Sequence, residues 1–105
     1  MSNESLNASC DYLLNTLNEV LHGFPVDFQK ALGCEQQHVL EVFRKLGACC
    51  QSGRACVDAS DARLLLNCSR LCREELDGDE FETRLGVGIE RALQVEKDLS
   101  MLLLA

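Results

Sequence analysis

The sequence predicts an all-α fold, an antiparallel four-helix bundle with one extra short helix near Phe28, and three observations carry that expectation. From Asp79 to Ala105 an unbroken heptad register, Phe81, Leu85, Gly88, Ala92, Val95, Leu99 and Leu102, steps alternately four and three residues, as in a helix built to pack on other helices. Earlier segments repeat the same spacing between short polar breaks. Aromatic residues make up only 5% of the chain, with no Trp and one Tyr, so aliphatic side chains and thiols must fill the core, which suits helices better than a sheet. A chain of 105 residues is expected to form a single helical domain, 1–105, with residues 1–4 a disordered N-terminus.

The first helix is expected over about Ser5 to His22, where Leu6, Cys10, Leu13, Leu17 and Val20 form a stripe and Asn7, Asp11, Asn15, Asn18 and Glu19 occupy the other faces. Gly23, Phe24 and Pro25 stop it, since proline cannot continue the hydrogen-bond ladder. A short helical segment from Pro25 to Leu32 turns Phe28 and Leu32 inward before Gly33. The next helix spans Glu35 to Cys50, with Val39, Val42, Phe43, Leu46 and Cys49 or Cys50 on its buried side. Gln51, Ser52, Gly53 and Arg54 read as a loop. A third helix starts at Asp58 or Ser60 and reaches about Leu76, carrying Leu65, Cys68, Cys72 and Leu76 on one stripe. Asp77 and Gly78 end it, and Asp79 with Glu82 three residues on resembles a capping box that opens the last helix.

A formal charge of -7 argues against binding a phosphate backbone, which requires a basic face, so no nucleic-acid partner is expected. The N-terminal residues lack a basic segment followed by an apolar run, and no stretch approaches the roughly twenty apolar residues a bilayer span requires. No membrane association is expected, and the chain is placed in the cytoplasm. Seven cysteines cannot all pair within one chain, and in a reducing compartment they are expected to be mostly free, with Cys10, Cys68 and Cys72 acting as small core hydrophobes. Triplets of the Asn-x-Ser type at Asn3, Asn7 and Asn67 matter only in secreted chains.

Cys68 and Cys72, four apart on one predicted helix, face the same way and are suited to a soft metal ion. Cys34 and His38 share that spacing, and Cys49, Cys50 and Cys56 lie at the far end of the same helix. A metal set of Cys68, Cys72, Cys34 and His38 is therefore the alternative reading, although the paired C-x-x-C signature of structural zinc is absent from the sequence. Over one helical turn, Cys68 and Cys72 resemble the thiol rows of bacterial four-helix copper-storage bundles; the sparse thiols elsewhere keep the chain outside that family. Cys34, just ahead of a helix start, is the best candidate for a reactive thiol. His38 and the exposed histidine of phosphotransfer bundles invite comparison, but Val39 and Leu40 stand where that family has a Lys-Gly pair nearby. Asp77 to Gly88 fails as a calcium loop, because Gly88 takes the place of the bidentate glutamate. Gly86 and Gly88 lack the preceding strand and third glycine of a dinucleotide fingerprint.

No pairing of acid and base points to an enzyme, and no cofactor is implied. The expected function is a non-enzymatic protein-interaction module, a small regulatory, adaptor or inhibitory protein working through helix-packing surfaces. The segment from Leu99 to Ala105 is apolar on nearly every face, more than one buried stripe requires. Leu99, Leu102 and Leu103 serve the chain's own core, which leaves Met101 and Leu104, with Leu93 and Val87, as the interface of a two-fold homodimer. A cysteine-based metal-binding or redox-sensing bundle is the alternative.

Overall fold

A computed structural model describes residues 8–53 and 57–104, all the secondary structure of which is helical. Six helices follow in order: α1 (Cys10–Asn18), continued by a π turn (Glu19–Gly23), α2 (Phe28–Leu32), α3 (Gln36–Gln51), α4 (Ala59–Glu75), α5 (Gly78–Leu85) and α6 (Ile89–Leu104). The expectations for residues 1–4, Ser5, Leu6, Asn7, Arg54, Cys56 and Ala105 lie outside the described residues.

The helix starts follow from capping chemistry. Asp27, Asp58 and Asp77 each adopt extended backbone and accept a hydrogen bond from the backbone N–H three residues on, at Lys30, Asp61 and Glu80, which satisfies one orphan donor of the first turn. The apolar stripes then pack into an all-α bundle. Leu13, Leu17 and Val20 of the first helix meet Val39 and Leu46 of α3, Leu65, Cys68 and Cys72 of α4, and Val95 and Leu99 of α6 in one core. A disulfide between Cys10 and Cys50, with Cα atoms 6.1 Å apart, joins the start of α1 to the last turn of α3, so these helices run antiparallel. Tyr12 meets Ser69 and Thr16 meets Cys72, which sets α1 and α4 in the same sense. The up, down, up course of α1, α3 and α4 follows.

Four expectations are corrected. Cys10 is not a free core thiol but half-buried and bonded to Cys50. Glu19, assigned to an outer face, is buried: it stands seven residues after Tyr12 and three after Thr16, both buried, and its N–H still bonds at α-helical spacing to the Asn15 carbonyl. The cap of the segment after α4 is Asp77, not Asp79. The final helix is also not continuous: α5 ends at Gly86, φ 79°, a left-handed conformation that a Cβ would strain, and α6 begins at Ile89. Asn15 Nδ2 donates to the Leu85 carbonyl at 3.3 Å, satisfying one acceptor that the break exposes. Phe81, Leu85, Ala92, Val95 and Leu99 are nevertheless all buried. The spacing read from the sequence is the spacing of the core contacts, which cross the break unchanged.

Candidate functional site

Among the described residues, the outer face of α6 carries the large apolar side chains that the fold leaves in water. Leu93 is 48% exposed, Met101 49% and Leu104 82%. At 100° per residue these three fall within one quarter of the helix circumference, with Lys97 between them. Ala92, Val95, Glu96 and Leu99 form the buried side of the same helix, and Leu102 and Leu103 pack half-buried on the core. Val87 precedes α6 and also packs half-buried on the chain's own core, so it is not part of the exposed stripe.

What holds α6 at that rotation is a buried carboxylate. Arg73 of α4 donates to Glu96 from Nε at 2.7 Å and from Nη2 at 2.8 Å, a bidentate pair. Ser69 Oγ donates to Glu96 Oε2 at 2.7 Å. Because that uses the serine's one proton, the Tyr12 hydroxyl, 2.5 Å from Ser69 Oγ, must be the donor to it. Three helices thus share one chain of hydrogen bonds, Tyr12 to Ser69 to Glu96, closed by Arg73. Among the described residues, no buried side-chain nitrogen or oxygen is left without a partner. Sequence reasoning missed this network, yet a signal existed: Glu96 stands four residues after Ala92 and three before Leu99, on the apolar stripe itself.

A second buried carboxylate, Glu19, sits at the start of the π turn. Arg84 of α5 donates to Glu19 at 3.3 Å, to the Gly23 carbonyl at 3.2 Å and to Glu80 at 3.0 Å. A Cβ on Gly23 would come within 2.6 Å of the Glu19 carboxylate, which would have to shift to make room.

The thiols divide by environment. Cys68 and Cys72 are buried; burial pushes the Cys68 thiol strongly up and raises Cys72 from 9.0 to about 12. Cys34 and His38 do not join them. They line a surface cleft of about 200 Å³ with Ser60, Arg63, Leu64 and Asn67. Burial raises the Cys34 thiol as well, the reverse of what an activated thiolate requires. Among the described residues no three His, Cys, Asp or Glu side chains group to hold a metal, and Cys56, part of the wider thiol set, lies outside them. Comparison with protein-family models, with curated proteins and with solved structures finds no match for the chain.

The buried acids generate an alkaline weakness. A thiol that ionises near 9 in the unfolded chain and near 12 when buried favours folding fully below pH 9, and that contribution is lost as pH climbs towards 12. Tyr12, raised from 10.0 mainly by burial, adds the same sign above its own unfolded value. Denaturant titrations should therefore show stability falling steadily from pH 9 upward, with a shallower fall in Tyr12→Phe. In native protein at neutral pH, iodoacetamide should label Cys34 and Cys49 while sparing Cys68 and Cys72.

Proposed function

We propose that this protein is a non-enzymatic interaction module that works through the outer face of α6, and that the partner this face fits is a second copy of the chain. The observation that carries the reading is the exposed row of Leu93, Met101 and Leu104 on a helix whose rotation the Glu96 network fixes. Large aliphatic side chains gathered on one exposed helix face mark an interface more often than idle surface. Charge supports self-pairing. An antiparallel dyad near Lys97 and Asp98 sets each Lys97 against the Asp98 of the second copy and each Leu93 near the Met101 opposite, a self-complementary contact. Two features speak against chemistry on the groups described above: Glu96 is saturated by Arg73 and Ser69, and burial holds the Cys34 thiol protonated. No helix of the described residues is long and apolar enough to cross a membrane, and we assign the protein to the cytoplasm.

The Cys10–Cys50 bond favours a second reading, a redox-responsive bundle. In a reducing compartment such a bond is a transient state; its formation removes two electrons and two protons from the pair, taken up by a cellular disulfide or peroxide. The metal-binding form of that reading has no comparable support.

Sedimentation equilibrium tests the main reading. Wild type should be a dimer at micromolar concentration, and Met101→Glu with Leu104→Glu should be a monomer of unchanged helicity; a wild type that stays monomeric at high micromolar concentration overturns it. For the second reading, the bond closes a segment of sequence separation 40, and chain entropy assigns about 4 kcal/mol to a loop of that size. Reduction, or Cys50→Ser, should lower unfolding free energy by up to about that amount; a midpoint indifferent to reductant removes the redox reading while leaving the dimer reading standing.

A further inference from the structure

We propose that the cleft between the α2–α3 turn and α4 binds a small organic carboxylate, with the Arg63 guanidinium as its anchor and Leu32 and Leu64 as the wall for a short aliphatic chain. The cleft, about 200 Å³, presents Arg63, His38, Ser60 and Asn67, and none of its lining residues is acidic. Arg70, Arg73 and Arg84 each have a carboxylate within 4.0 Å, whereas among the described residues Arg63, like Arg44 and Arg91, makes no ion pair, and of those three it is Arg63 that lines a cleft. In a cleft with no acid on its lining, that fork is open to an anion from outside the chain.

The donor set suits a carboxylate. One guanidinium meets both oxygens of a single carboxylate in plane, and the Ser60 hydroxyl, the Asn67 amide and the N–H that His38 offers in either tautomer supply further donors. A phosphate dianion would leave more charge than one arginine neutralises, and it would have no use for the leucine wall. Cys34, kept neutral by burial, adds no repulsion. The volume lies below the roughly 300–1,000 Å³ of pockets for drug-sized ligands, which limits the ligand to a short chain. Through Asn67 the cleft continues into a second hollow of about 220 Å³ beside Arg70 and Glu74, where Glu74 supplies the negative charge that the first hollow lacks. The anion therefore belongs at the Arg63 end. Ser60, Arg63 and Asn67 follow helical spacing along one side of α4, and Glu96 takes its partners on α4 from Ser69, Arg70 and Arg73 instead.

Cys34 makes the site measurable in the intact chain. Iodoacetate and iodoacetamide both alkylate a thiol, forming a carbon–sulfur bond, releasing iodide and passing the thiol proton to buffer, but only iodoacetate is a carboxylate. Labelling rates at Cys34 and Cys49 are read by peptide mass spectrometry on the same sample, with propionate, propionamide and inorganic phosphate as competitors. The expected result is an iodoacetate-to-iodoacetamide rate ratio about fivefold higher at Cys34 than at Cys49, the size of one exposed charge contact. Propionate should protect Cys34 saturably where propionamide does not, and Arg63→Gln, an exposed helix position, should remove both effects. Equal protection by propionate and propionamide in the wild type overturns the proposal whatever the variant does. Protection by phosphate matching that by propionate overturns the choice of a carboxylate, and protection that survives Arg63→Gln overturns the anchor.

Discussion

The arrangement of this bundle depends on where it puts the carboxylate of Glu96. A charged group withdrawn from water is costly unless it is paired and hydrogen-bonded, and the side chain of Glu96 retains only 9% exposure. The two donors of Arg73 and the hydroxyl of Ser69 meet that requirement from α4, and Tyr12 extends it to α1. Apolar packing alone tolerates small rotations and slips, because dispersion and burial are not directional. A bidentate arginine and a serine with one proton tolerate neither. Once Glu96 faces Arg73, Ala92, Val95 and Leu99 have to face the core, and Leu93, Met101 and Leu104 have to face water. The exposed row is thus a consequence of a buried polar contact rather than an accident at the chain's end.

A second side of α4 follows from the same rotation. Ser69 and Arg73 point towards α6, while Ser60, Arg63 and Asn67, farther around the helix, line the cleft beside Cys34 and His38. One helix therefore organises two surfaces with different character. The apolar row on α6 suits a macromolecular contact, and the arginine-bearing hollow suits a small anion. The Cys10–Cys50 bond lies at neither surface; it closes the α1 and α3 ends of the bundle.

Much of this was legible in the sequence, and what was not had physical causes. The heptad positions Phe81, Leu85, Ala92, Val95 and Leu99 are buried as the spacing required. The break at Gly86 escaped notice because the buried positions keep their period across it; a glycine just after Leu85 was the available sign. Glu19 was misplaced because a charged residue was expected to face water, although it stands at helical spacing from Tyr12 and Thr16, both buried. Glu96 was readable in principle, since a glutamate on an apolar stripe calls for a buried partner. The pairing of Cys10 with Cys50 was not readable, because seven cysteines allow many connectivities and spacing does not choose among them. Cys34 and His38, paired in the sequence by their four-residue spacing alone, line one cleft, and the residues that complete it come from α4, beyond the reach of local spacing.

The claim that the Glu96 network sets the bundle is most directly tested by equilibrium urea unfolding of Arg73→Leu beside Glu96→Gln, followed by the near-ultraviolet signal of Tyr12, the chain's one tyrosine. Arg73→Leu leaves a buried carboxylate without its counter-charge and should lose about 3 kcal/mol with an altered Tyr12 signal, whereas Glu96→Gln, which removes the charge and keeps a polar partner, should lose markedly less. Two variants that both unfold within about 0.5 kcal/mol of wild type, the range of ordinary surface substitutions, with the Tyr12 signal unchanged, would contradict the account.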